Sequence, residues 1–219
     1  MVQLKNMMPQ QLTMISCFQR FTIRVIFPVF ISIVFLINVK VAYSHPHVFV
    51  ENSIEIALDK RGVSGFEVNW VFDEMTSAGF ILDYDTNRDG KFSSDEIKVL
   101  KKEAFDYLKN YHYMLDISVG EKKFEVEYVK YFFPKIIKSR LVYRFFVPCH
   151  VSAIKPFKVI HLSVYDDEYF VNYSTKKENI HVRDDTLFDC DLKIETNRDK
   201  SFYFGQFHPR EITFKFKKR

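Results

Sequence analysis

The sequence predicts an α+β fold: a mainly antiparallel β domain with one inserted helix-loop-helix. Three observations predict it. Apolar residues alternate with polar ones at period two over much of the chain, as strands with one buried face require. One segment, residues 73–112, switches to helical spacing on both sides of an acidic stretch. Aromatics make up 17% of the 219 residues and hydrophobic residues 47%, so a sizeable core is available. The 6 glycines do not cluster and no GxGxxG or Walker pattern occurs, which removes phosphate-cradling loops.

The chain opens with a targeting pattern. Arg20 and Arg24 precede the apolar run Val25–Ile37, which has the length of a signal-peptide core and is short for a bilayer span. Ala42-Tyr43-Ser44 places small residues where a signal peptidase reads them, so cleavage is expected before His45. Residues 1–44 are then a signal peptide and residues 45–219 a single exported domain. An uncleaved anchor from Phe21 to Val39, with Pro28 inside it, is the competing reading. The leader holds Lys5, Arg20, Arg24 and Lys40 and no acid, so the net charge of +4 belongs to it. The remainder is balanced and gives no electrostatic reason to expect nucleic acid. Cys17 leaves with the leader. Cys149 and Cys190 remain as an even pair in an oxidising compartment, and a disulfide between them is a hypothesis.

His45-Pro46-His47 opens the exported part. Pro46 favours an extended backbone at His45, and Val48-Phe49-Val50 continues as a strand, so both imidazoles can share a face. With the new α-amine they form a nitrogen donor set suited to zinc, copper or nickel. Ile54, Ile56 and Leu58 alternate up to the turn Asp59-Lys60-Arg61-Gly62. Phe66, Val68, Trp70 and Phe72 form the hairpin partner.

Asp73 then caps a helix through Met75, Phe80, Ile81 and Leu82. The stretch Asp85–Glu96 follows, with the residue types of an EF-hand calcium loop at each ligand position. Asp85, Asn87 and Asp89 stand at loop positions 1, 3 and 5, and Gly90 at the sharp turn. Lys91 offers its carbonyl, Ser93 an oxygen directly or through water, and Glu96 both carboxylate oxygens. Ile97, Leu100, Ala104, Phe105 and Leu108 continue at helical spacing. An unpaired EF-hand-like unit must pack its apolar faces on the sheet.

Strands are expected over Tyr113–Val119, Phe124–Phe133, Leu141–Val147 with Pro148 as a stop, Val159–Tyr165 and Tyr169–Tyr173. Residues 174–200 read as a polar loop with a short strand near Leu187–Ile194. Phe202–Phe204 and Ile212–Phe216 close the chain, for about eight strands in all.

Catalytic patterns are lacking. Ser174-Thr175-Lys176-Lys177 has the S-x-x-K spacing but no companion elements. Asp166-Asp167 and Asp184-Asp185 are neighbours that point apart on a strand. Neither an enzyme nor a small-molecule substrate is indicated.

The chain resembles the bacterial periplasmic family known as domain of unknown function 1007. The resemblance rests on His45-Pro46-His47-Val48-Phe49-Val50 after a signal peptide, and on Trp70-Val71-Phe72-Asp73-Glu74-Met75. It extends through the acidic loop, Ala104-Phe105, Tyr111-His112-Tyr113, Val164-Tyr165-Asp166 and Tyr169-Phe170. It implies a periplasmic accessory role beside an inner-membrane permease of the nickel/cobalt type, in zinc, nickel or cobalt handling, with His45 and His47 as ligands. His208, followed by Pro209, is the expected third ligand. The alternative is a calcium-stabilised periplasmic interaction module with no transition-metal cargo.

Overall fold

The computed structural model describes residues 46–183 and 185–219. The leader, its cleavage site and His45 lie outside the described residues. Ten strands among them form two five-stranded sheets. The first is ordered β5-β6-β2-β1-β8 and the second β4-β3-β7-β10-β9. β1 is Val48–Asp59, β2 Gly62–Phe72, β3 Leu115–Val119, β4 Lys122–Phe124 and β5 Phe132–Ile137. β6 is Arg140–Ser152, β7 Lys158–Val164, β8 Val171–Arg183, β9 Phe188–Thr196 and β10 Arg210–Lys218. Side chains from both sheets join one hydrophobic core, the arrangement of a β-sandwich.

The β1–β2 hairpin forms as the alternation requires. Ile54, Ile56 and Leu58 on β1 and Phe66, Val68, Trp70 and Phe72 on β2 are all buried. The pairing is antiparallel, with Ile54 opposite Val68. Asp59 Oδ1 accepts the N–H groups of Arg61 and Gly62 at 2.7 and 3.1 Å and fixes the turn. Inside the hairpin sits Asn52, a fully buried polar residue. It accepts from Trp70 Nε1 at 3.0 Å and donates to Thr175 Oγ1 at 2.8 Å, tying β1 to both neighbouring strands. Asn52→Ala leaves the indole N–H and the threonine hydroxyl buried without these partners, at a cost of about 1–3 kcal/mol. Trp70 is the sole tryptophan, so its fluorescence follows urea unfolding. The midpoint should fall with the slope unchanged.

Several expectations are corrected. There are ten strands rather than about eight, and β1 pairs with β8 in parallel. β6 runs through Pro148, which was expected to stop it. Pro148 faces Gly65 where the β2–β6 register shifts, a bulge position that tolerates a missing N–H. Backbones approach closely there: a Cβ on Gly65 would lie 2.4 Å from the Val147 carbonyl oxygen. The expected strand Phe124–Phe133 is broken, because residues 125–131 are irregular between β4 and β5. Residues 174–200 are mostly strand, and Phe202–Phe204 is a turn closed by a bridge between Phe202 and Phe207. Cys149 and Cys190 stand on strands of different sheets, and no disulfide joins them to one another.

The segment between β2 and β3 carries α1, Glu74–Tyr84, and α2, Ser94–Leu100. Asp73 caps α1 by accepting from Thr76 N at 2.9 Å, and its other oxygen accepts Phe49 N at 2.9 Å. α1 buries little apolar surface: Met75 is 78% exposed and Leu82 71%. Its contact with the sheet is made by buried Ser77, whose Oγ accepts Leu141 N at 2.9 Å, and by Phe80 against Phe72 and Tyr143. The second helix does dock through its apolar face, but not as one α-helix. A π turn over Lys101–Phe105 and a 3-10 segment over Asp106–Met114 follow α2. The π turn brings Leu100 and Phe105, five residues apart, onto one buried face, which α-helical spacing would not do.

Candidate metal centre

The acidic stretch joins α1 to α2, and each end is fixed by local chemistry. Ser93 is the N-cap of α2. Its Oγ accepts Glu96 N at 3.3 Å while Glu96 Oε2 accepts Ser93 N at 2.8 Å, a reciprocal capping box. Glu96 Oε1 reaches back across the loop to Thr86, accepting its N–H at 2.8 Å and its hydroxyl at 2.7 Å. At the other end, Asp85 accepts Asp89 N at 3.1 Å and Gly90 N at 2.9 Å. Asn87 Oδ1 accepts Asp89 N at 3.0 Å, and Asp89 Oδ1 accepts Lys91 N at 2.9 Å. The chain turns in the left-handed region at Arg88, φ 57°, and Gly90, φ 76°.

The two ends of the loop therefore present carboxylates that are largely shielded: Asp85 is 4% exposed and Glu96 8%. The oxygens are hard donors, and the N–H groups that hold them leave lone pairs for a cation. Lys91 presents its backbone carbonyl, and Ser93 Oγ already serves the cap. These oxygens are the ones that would hold a hard cation such as calcium. Among the described residues, no three His, Cys, Asp or Glu side chains are gathered as a metal site. The loop carboxylates are instead each tied to N–H groups of the loop itself.

Glu96 also carries a pH signature. The Ser93 N–H, then the Thr86 and Ser93 hydroxyls, stabilise the ionised carboxylate and push its pKa from about 4.5 down to about 2. A depressed carboxyl pKa contributes stability above the unfolded value and loses it as pH falls through the folded value. Without calcium, the stability gap between wild type and Glu96→Gln should be constant above about pH 4.5. It should close between there and about pH 2. Urea titrations across that range check this.

The histidines are placed less simply. His47 is exposed, just before β1. Its N–H donates to the Phe170 carbonyl at 3.0 Å and its ring lies 4.9 Å from the Phe170 ring. His208 is exposed, with Nδ1 2.7 Å from the Lys200 carbonyl oxygen, so Nε2 remains for a ligand. Because His45 lies outside the described residues, the geometry covers two of the three expected nitrogen ligands.

Sequence reasoning missed one strained segment. His112, Tyr113 and Met114 take φ values of 48°, 54° and 59°, left-handed conformations that non-glycine residues avoid. His112 Nδ1 is buried with no hydrogen-bond partner among the described residues. It lines a cavity of about 410 Å³ with Asp116, Tyr165, Asp166 and Glu168. No propensity rule flags three consecutive left-handed residues in Tyr111-His112-Tyr113-Met114. Burial of Tyr113 against Phe105 and Phe145 offsets the strain.

No helix among the described residues is long and apolar enough to cross a membrane. A family model described as a protein of unknown function, DUF1007, matches residues 30–203. The chain is also 34% identical over 134 residues to an uncharacterised 15.5 kDa protein from the trpE 3′ region of Spirochaeta aurantia. That alignment takes in 59% of this chain and 92% of the relative.

Proposed function

Since this chain belongs to the DUF1007 family of proteins of unknown function, we propose from its own residues that it is an exported, calcium-binding accessory protein. In this reading Asp85, Asn87, Asp89, Lys91, Ser93 and Glu96 hold one calcium ion. The ion braces the segment between β2 and β3 against the first sheet. The observation that carries the reading is the pair of shielded carboxylates, Asp85 and Glu96, at the two ends of a loop that turns at Gly90, with Glu96 reaching back to Thr86 beside Asp85. A calcium-replete exterior suits even a weak site of this type, with Kd in the range of about 10⁻⁴–10⁻³ M. The protein works in the periplasm beside an inner-membrane metal permease, and it is not an enzyme.

A transition metal is the second ligand in this proposal. The exposed imidazole of His47 at the head of β1 favours it, with His45 and His208 completing the set for zinc, nickel or cobalt. One experiment separates the two metals. Mature protein is stripped with EDTA, dialysed to equilibrium against saturating calcium with zinc and nickel, and analysed for metal retained in excess of the dialysate. One calcium per chain is expected, together with a transition metal that the His45→Ala/His47→Ala variant does not retain. Retention of calcium alone would leave a calcium-stabilised interaction module. Retention of no calcium would overturn the reading.

A further inference from the structure

A sheet ends in strands whose outer N–H and C=O groups can pair with another chain, and folded proteins blunt such edges with charge, proline or brevity. Three of the four edges here are blunted. β4 has three residues, two of them lysine. β9 carries Asp189, Asp191, Lys193 and Glu195 at alternate positions. β5 carries Pro134 and Lys135. β8 differs. Its first five residues, Val171-Asn172-Tyr173-Ser174-Thr175, carry neither charge nor proline and include strand-forming Val, Tyr and Thr; charge begins only at Lys176-Lys177-Glu178.

β8 pairs with β1 on one side, and no described strand lies on its other side. That outer side is not packed shut. Residues 171–176 line, in succession, a cavity of about 410 Å³, within the range of about 300–1,000 Å³ typical of ligand sites. The facing wall is aromatic. Tyr169 stacks 4.3 Å from Phe207 and 5.8 Å from Phe202, and Tyr165 lies 5.1 Å from Phe202. Lys176 and Arg210 stand exposed among the lining residues, and neither is ion-paired among the described residues. The acid in the cavity, Asp166, is already engaged by the N–H groups of Glu168 and Val171 at 3.1 and 3.0 Å.

We propose that the outer edge of Asn172–Lys176, beyond the Val171 N–H that Asp166 already holds, is the docking site for an extended acidic peptide. The peptide adds to the first sheet as a sixth strand through backbone hydrogen bonds. It seats an apolar side chain among Tyr169, Phe202 and Phe207 and sets a carboxylate against Arg210 or Lys176. The surface is separate from the Asp85–Glu96 loop, and the proposal stands whether or not calcium binds there.

The test begins by panning a phage-displayed library of random linear peptides against the mature protein. Enriched peptides, remade with a fluorescein label, are then titrated by anisotropy. Sequences alternating apolar and acidic residues are expected, with affinity lowered about tenfold or more by Arg210→Glu and by Phe207→Ser. Both positions are exposed, and circular dichroism verifies that the variants fold. Amide exchange within residues 172–176 should slow on binding, while the Val171 amide, already held by Asp166, serves as the internal reference. The proposal is overturned by a library without enrichment, by binding that neither substitution weakens, or by protection confined to other strands. It is likewise overturned if the chain dimerises through these amides in the absence of peptide, since the edge then belongs to a second copy.

Discussion

Phe105→Ala is expected to destabilise the protein by about 3–5 kcal/mol, the cost of emptying a large aromatic site. The melting temperature should fall by about 6–20 °C. The ring is fully buried and stacks on Phe132 at 3.9 Å. It also meets Tyr143 at 5.8 Å, Phe145 at 5.3 Å and Tyr113 at 5.5 Å. No other residue of the segment between β2 and β3 meets so many rings of the first sheet. Its loss removes the anchor of α2 and the π turn, and with it the burial that offsets the left-handed run at His112–Met114. Phe105→Leu, which keeps most of the volume, should cost less than half as much. Equal losses for the two variants, measured by thermal unfolding, would mean that the ring contacts do not hold this segment.

Saturating calcium is expected to raise the melting temperature of the wild type. A ligand at 100-fold its Kd stabilises by about 2.7 kcal/mol, or about 5–10 °C for a domain of this size. Glu96→Gln should abolish that rise, because position 12 supplies two of the oxygens. Glu96 also serves the capping box, so this variant starts from a lower temperature. Asp89→Ala separates the effects. Asp89 is exposed and takes no part in either helix cap, so its baseline should stay close to wild type while the calcium response disappears. A full calcium response in Asp89→Ala and Glu96→Gln would place the ion elsewhere.

What could be read from the residues follows from how local the information is. The β1–β2 hairpin was legible because Ile54, Ile56, Leu58 and then Phe66, Val68, Trp70, Phe72 each put every second side chain into the core. Asp73 was legible as a cap because capping chemistry acts within three residues. Ser93 turned out to be the N-cap of α2 as well. The parallel β1–β8 pairing was not legible. It joins Asn52 to Thr175 across most of the domain, and neither residue's neighbours carry a signal for it. β8 beyond Tyr173 was misread as loop because an edge strand with one solvated face is polar in composition. Pro148 was misread as a stop because the bulge that accommodates it belongs to another strand, at Gly65. α1 reads as amphipathic from Met75 to Leu82, yet its closest approach to the sheet uses Ser77, where a small hydroxyl lets two backbones come near.

The acidic loop was the most legible part of the site, and the histidines the least. The residues expected as loop ligands fall within one short segment, so their order can be read from spacing, whereas whether they gather around an ion cannot. A site built from the chain's front end and His208 depends on tertiary placement that no spacing rule encodes.

The central claim is that one hard cation organises residues 85–96. A crystal structure of the mature protein grown with saturating calcium tests it most directly. The account predicts a single ion with oxygens of Asp85, Asn87, Asp89 and Glu96 and the Lys91 carbonyl at about 2.3–2.6 Å, with Glu96 turned away from the Thr86 hydroxyl. A loop with no ion, in which Glu96 still accepts from Thr86 and the Asp85 oxygens still face only the N–H groups of Asp89 and Gly90, would contradict it.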